Sequence, residues 1–184
     1  VYEPSEDSFL FAENLTVKRA DHVLDLGTGC GLLGIVAAAQ AREVVAVDIN
    51  PNAVRCAQAN ARLNEVDDRI MFLQGDLFTP LSTKATFDVI LFNAPYLPGR
   101  LKKGALWIER SWTGGRSGRE VIDSLISSCR DYLASRGRVM LLQSTLSSVD
   151  RTLSAFRARG FSDRIVAEKK LPFFESIVLV EARA

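Results

Sequence analysis

Chemistry that depends on many cysteines or histidines is excluded at once. The 184 residues contain three cysteines and one histidine. Cys30, Cys56 and Cys129 are odd in number and widely spaced, with no Cys-x-x-Cys and no Cys/His pair, so the usual zinc spacings and a disulfide framework are both missing. A reducing compartment follows, and the cytoplasm is the expected location. Long apolar runs are missing as well. The longest, Leu32 to Ala39, is broken by Gly34 and stops at Gln40, far short of the roughly 20 residues of a spanning helix. No membrane partner is expected. The acidic opening Val1-Tyr2-Glu3-Pro4-Ser5-Glu6-Asp7 has no signal-peptide pattern. It does not begin with Met, which implies that a few residues precede it.

An excess of either charge is also lacking: 23 basic against 22 acidic residues leave +1. Nucleic-acid binding through net charge alone is therefore excluded. Basic residues gather only locally, as Arg100, Lys102, Lys103, Arg110, Arg116 and Arg119 with Glu109 alone among them. With 47% hydrophobic residues the chain can bury a core of its own, and its length predicts a single domain over 1–184.

What is present is an alternation of short β-rich runs with helical patterns, which predicts parallel βαβ units. His22 to Leu26 reads as a buried strand that enters Gly27-Thr28-Gly29-Cys30-Gly31, followed by an apolar helix over Leu32 to Ala41. Glu43 to Asp48 is a second strand; Asn50 and Pro51 then suit an N-cap and a first helical residue, with the helix running to about Asn64. Ile70 to Gln74 and Phe87 to Phe92 are further strands. A long connection, Leu97 to Gly118, follows and holds Trp107 and Trp112. Beyond it the pattern predicts a helix over Glu120 to Ser135, a strand over Arg138 to Gln143, and a helix over Ser147 to Arg159 closed by Gly160. The last runs, Arg164 to Lys169 and Ser176 to Ala182, are separated by too few residues for a crossover, so they should be antiparallel.

Open parallel sheets bind ligands beyond the carboxyl ends of their strands, and Asp25, Asp48 and Asp76 fall there. Glycines at 27, 29 and 31 permit a tight turn and close backbone approach. Asp48 lies at the distance from the loop at which an acid accepts both ribose hydroxyls of an adenosine ligand. Nicotinamide enzymes share that layout, but their loop receives a pyrophosphate. Asp25 would repel one and suits a ligand carrying an ammonium, so the electrostatics favour S-adenosylmethionine. At the fourth strand, Asn93-Ala94-Pro95-Tyr96 offers two acceptors for a substrate –NH2: the Asn93 carboxamide oxygen and the next carbonyl. Pro95 stiffens the turn, and Tyr96 supplies a flat wall. Such a turn serves a protein amide, an exocyclic amine of adenine or guanine in RNA or DNA, or a lysine. An idle adenosine-binding scaffold is the remaining reading.

Val23 to Gly31 resembles motif I of class I S-adenosylmethionine-dependent methyltransferases, and Asn93 to Tyr96 resembles their Asn-Pro-Pro-Tyr motif. Tyr2-Glu3-Pro4-Ser5-Glu6-Asp7-Ser8-Phe9-Leu10 and Ser111 to Glu120 are similar to stretches of the eukaryotic and archaeal HemK-like glutamine methyltransferases. The resemblance implies a Rossmann-like α/β fold: a mostly parallel seven-stranded sheet with the last strand antiparallel and helices on both faces. It implies methylation of the glutamine of the Gly-Gly-Gln motif in class I peptide chain release factors, and a small zinc-binding activator subunit that covers an exposed apolar edge. Carried over, the cofactor contacts are Ser8, Asp25, Gly27, Thr28, Gly29, Gly31, Asp48, Ile49, Asp76, Leu77 and Asn93; the catalytic turn is Asn93, Ala94, Pro95 and Tyr96. No metal site is expected in the chain. Ala94 departs from the family's proline, which leaves the carbonyl but loses the ring. His22 reads as structural and Cys30 as a small residue in the loop. Phe173 and Phe174 read as core or a hairpin tip, and Trp107, Trp112 and the Arg100 to Arg119 stretch as either a solvated loop or a docking surface for a release factor or RNA.

Overall fold

Parallel strands covered by helices on both faces must be apolar on both, and the strands β1 (His22–Leu26), β2 (Glu43–Asp48) and β4 (Phe87–Asn93) have that character. The structure, a computed structural model, describes residues 1–100, 104, 106–172 and 174–184. With β3 (Ile70–Gln74), β5 (Leu133–Ser144), β6 (Ser162–Lys170) and β7 (Ser176–Arg183), the strands form a seven-stranded sheet of order β3-β2-β1-β4-β5-β7-β6. β1 to β5 run parallel, whereas β7 is antiparallel to both β5 and β6. β6 and β7 pair antiparallel, as the few residues between them require.

Alternate residues face opposite sides. Leu24, Leu26, Ile90, Phe92 and Leu141 pack with Ile122 and Leu125 of α5 (Glu120–Ser128) and Phe156 of α6 (Val149–Ala158). On the other face Val23, Val44, Leu91 and Met140 pack with Phe11 of α1 (Glu6–Asn14) and with Leu33 and Ala37 of α2 (Leu32–Ala38). α3 (Pro51–Leu63) opens as its sequence requires: the Asn50 side chain accepts from the Asn52 N–H at 2.9 Å, with Pro51 in the first turn. Gly160, at φ +80°, follows α6. Among the described residues no helix is long and apolar enough to cross a membrane.

Several boundaries differ from expectation. α2 stops at Ala38 rather than Ala41, and α6 begins at Val149 after a 3₁₀ turn over Thr145–Ser147. The helix expected to reach Ser135 ends at Ser128, gives way to a 3₁₀ turn over Cys129–Tyr132, and Leu133 already pairs with Phe87. Tyr132 stacks on Phe78 with ring centroids 4.6 Å apart, which draws the chain off the helical path. Two helices were not anticipated. α1 buries Asp7 and Ser8 beside Phe11, so it shows no apolar periodicity; α4 (Trp107–Trp112) is short and sits inside the long connection.

Arg119, counted with the basic stretch as a docking residue, is 2% exposed. Its guanidinium donates to the Ser147 and Ser148 carbonyls, to Thr152 Oγ1 at 2.9 Å and to Asp123 Oδ1 at 2.7 Å. It therefore ties α5 to the start of α6 and is unavailable to a partner. Arg119→Ala leaves the Ser147 and Ser148 carbonyls without this donor, and its expected cost is about 1–3 kcal/mol, read as a lowered urea midpoint.

Candidate active site

The register of the parallel strands builds the site. Leu26 pairs with Val47 on one side and Phe92 on the other, so Gly27, Asp48 and Asn93 leave the sheet at one level. At Gly27, φ is +63°, and a Cβ would lie 3.3 Å from the Phe92 ring. Asp25 is 1% exposed and clamps the loop through Oδ2, which accepts from Thr28 Oγ1 at 2.6 Å and the Gly34 N–H at 2.9 Å. Burial pushes its carboxyl up to about 7 against the opposing effect of those two bonds. Asp48 Oδ2 accepts the Gly29 N–H at 2.9 Å and Oδ1 the Asn50 N–H at 2.8 Å. Each oxygen retains acceptor capacity for a ligand hydroxyl. Burial raises this carboxyl too.

The Asn93–Tyr96 turn is braced from two directions. On one side stands Asp7, which sequence reading passed over as a site residue. Its Oδ2 accepts from Asn93 Nδ2 at 3.2 Å and from the Tyr96 hydroxyl at 3.4 Å. Asn93 Oδ1 is buried and has no hydrogen-bond partner among the described residues. Burial, followed by the Asp7 charge, pushes the Tyr96 phenol well above its ordinary value. On the other side lies the segment 112–118. Leu97 N–H donates to the Trp112 carbonyl at 2.8 Å, Gly114 N–H to the Leu97 carbonyl at 2.9 Å and Gly99 N–H to the Gly115 carbonyl at 2.9 Å. A Cβ on Gly114 would fall 2.3 Å from the Pro95 oxygen, and one on Gly118 2.2 Å from the Tyr96 oxygen. Only glycine permits that contact of backbone with backbone. The departure at Ala94 also has a structural counterpart: its N–H donates to the Leu142 carbonyl at 3.3 Å, a bond proline cannot make.

These elements enclose a cavity of about 450 Å³. Ser8, Asp25, Gly27, Thr28, Gly29, Asp48, Ile49, Asp76, Leu77 and the whole Asn93–Tyr96 turn line it. Ser8 spends its hydroxyl hydrogen on Asp7 Oδ1 at 3.1 Å and so faces a ligand as an acceptor. Gly31 stands apart from the lining: it caps α2 at φ +91°, where a Cβ would meet Ala57 Cβ at 3.0 Å, so its role is helix packing. Cys30 lines the cavity, but burial raises its thiol, which opposes nucleophilic use. His22 lies at the far end of β1, with Nδ1 2.9 Å from Glu43, as a structural residue would. Trp107, Trp112 and Arg110 join the cavity wall, the Arg110 guanidinium 5.5 Å from the Trp107 ring centre. Of the remaining basic stretch, Arg100 and Arg116 are exposed, while Lys102 and Lys103 lie outside the described residues. So does Phe173; Phe174 is fully exposed between β6 and β7, at the hairpin tip rather than in the core.

Residues 5–109 match the family model described as the methyltransferase small domain. A provisionally named protein N5-glutamine methyltransferase of Methanocaldococcus jannaschii is 42% identical over 181 residues, spanning 97% of this chain and 90% of that protein. Human methyltransferase HEMK2 is 32% identical over 171 residues, 87% of this chain and 79% of that protein. The chain belongs to the HemK2/Mtq2 family of class I methyltransferases. Membership implies S-adenosylmethionine as the methyl donor, and the cavity's buried acid, glycine turn and free acceptors suit it. The HemK2/Mtq2 fold extends to the E. cuniculi Mtq2–Trm112 complex, solved as responsible for methylating the termination factor eRF1. One chain there aligns with a TM-score of 0.78 at 24% identity, covering 99% of this chain and 97% of that one.

Because Gly118 combines φ +71° with backbone contact, Gly118→Ala is expected to cost about 1–3 kcal/mol. It should also displace Tyr96, so turnover in a methyl-transfer assay should fall by more than the loss of folded protein measured by circular dichroism.

Proposed function

We propose that the protein methylates the side-chain amide nitrogen of glutamine, in the Gly-Gly-Gln motif of a class I peptide chain release factor. The observation that carries this reading is the buried Oδ1 of Asn93, which has no hydrogen-bond partner among the described residues, in a turn that lines the cavity together with Tyr96. A buried acceptor without a protein partner suits a substrate N–H donor. Bound S-adenosylmethionine supplies an electrophilic methyl group. An amide nitrogen is a weak nucleophile, since its lone pair is delocalised, so the residues act by positioning and by stabilising positive charge that grows on nitrogen. Asn93 Oδ1 and the Ala94 carbonyl each accept one N–H, which aims the lone pair at the methyl group. Tyr96 packs against the amide plane. The proton leaves after transfer, when the methylated nitrogen is strongly acidic, and no side chain need remove it beforehand.

In this reading Asp48 would accept the ribose hydroxyls, Asp76 and Leu77 would meet the adenine, and Asp25 would face the ammonium; all four line the cavity. A small zinc-binding activator subunit would cover the β3 edge of the sheet, where Met71 is 61% exposed and Leu63 of the neighbouring helix 81% exposed. The relative solved with Trm112 supports such a pairing.

The decisive assay follows radiolabelled methyl transfer to a release factor and to its Gln→Ala variant, with RNA, DNA and lysine peptides alongside, each with and without the activator subunit. Label on the wild-type factor alone is the expected outcome. Label on nucleic acid or lysine would replace the reading with base or lysine methylation, and cofactor binding without any transfer would replace it with an idle scaffold. In that assay Asn93→Ala should lower kcat by about 100-fold or more while donor affinity changes only a few-fold. Equal losses in both would remove Asn93 from its role.

A pH dependence follows from Asp25. Burial pushes its carboxyl up to about 7, and an ammonium favours the charged form. Donor binding should therefore expel a proton and weaken as Asp25 protonates, by about tenfold between pH 7 and 5.5. Calorimetry in buffers of different ionisation enthalpy reads this directly, and Asp25→Asn should flatten the profile.

A further inference from the structure

Asp7 is 6% exposed, yet its carboxylate is met by neutral donors. Oδ1 accepts from the Ser8 N–H at 2.6 Å, the Ser8 hydroxyl at 3.1 Å and the Tyr2 hydroxyl at 3.2 Å. Oδ2 takes the two side chains of the catalytic turn, Asn93 and Tyr96. We infer that Asp7 is a positioning residue for methyl transfer, setting which end of the Asn93 carboxamide meets the substrate and where the Tyr96 ring stands. The inference rests on the proposed reaction at this same site.

The argument is one of donors and acceptors. A carboxamide has two faces of opposite kind and can turn over; a carboxylate can only accept. Against Asp7, therefore, Asn93 must present Nδ2, and Oδ1 must point the other way, where it is left buried and unpartnered. Were residue 7 an amide, its own NH2 could hold Oδ1 of Asn93, and the turned carboxamide would offer N–H to the N–H of the substrate. Donation to an anion also polarises the carboxamide and strengthens Oδ1 as an acceptor. Asp7 is not the base of the reaction. Its two oxygens have about four lone-pair positions for five donors, so none is left for a proton from the substrate.

The test compares Asp7→Asn with the wild type, with activator subunit, release factor and S-adenosylmethionine present. Expected are a fall in kcat of about 30-fold or more, against the roughly 100-fold typical of losing one preorganised group, and donor KM within about threefold. A kcat close to wild type, or a fall matched by an equal loss of donor affinity, overturns the inference. Nitrogen-15 NMR of the wild type decides the matter where the variant does not fold or where wild type labels no glutamine, the latter being the failure of the proposed reaction itself. The two Asn93 carboxamide protons should be inequivalent, the one facing Asp7 shifted downfield and slow to exchange. A fast-exchanging pair at unstructured shifts would overturn it.

Discussion

The parallel register of β1 with its two neighbours is the constraint on which the rest of the site depends. Because Leu26 lies opposite both Val47 and Phe92, the three residues that follow come off the sheet side by side. Each strand can then be read as a delivery of one group: a glycine turn from β1, an acid from β2, an amide from β4. A slip of two residues in either ladder would keep every side chain on its own face yet separate these groups by about 7 Å. What opposes such slips is the close fit of individual side chains on both faces, where Leu24, Ile90, Val23 and Leu91 have no exposure.

Onto that rim the protein brings two segments distant in sequence. The first turn of α1 carries Asp7 to the ends of Asn93 and Tyr96, and the glycines at 114 and 118 lie on the backbone of Pro95 and Tyr96. The Asn93–Tyr96 turn is thus clamped between a carboxylate and a glycine-rich backbone. Ala94 has a support of its own. Where the family has a proline ring, this chain has an N–H bonded to Leu142, so a ladder hydrogen bond stiffens the turn in place of a covalent ring.

Strand positions were legible because fully buried parallel strands are short apolar runs with acids and glycines at their ends; β1, β2 and β3 start and stop where the residues imply. Helix ends were less legible. Ser128 is followed by residues with ordinary helix propensity, and only the stacking of Tyr132 on Phe78 turns the chain away. α1 escaped notice for a related reason: it buries a carboxylate and a hydroxyl, so its inward face does not look apolar. Arg119 misled in the opposite sense. In a basic stretch it reads as solvated charge, whereas its guanidinium is consumed by carbonyls of the α6 entrance.

What the sequence by itself determined is the chemistry available: an acid before a glycine turn, a second acid after the next strand, and an amide at the end of the fourth. Those follow from local spacing, since each lies within or just beyond one strand. Which of these groups are free to act was decided only by the tertiary structure. Hydrogen-bond occupancy is a property of contacts between segments far apart in the chain. Asp25 turned out to spend one oxygen on the loop, Gly31 to serve helix packing, and Asp7 to accept from the Asn93 carboxamide. No spacing rule along the sequence encodes a contact between residue 7 and residue 93; it exists because α1 is laid against the end of β4.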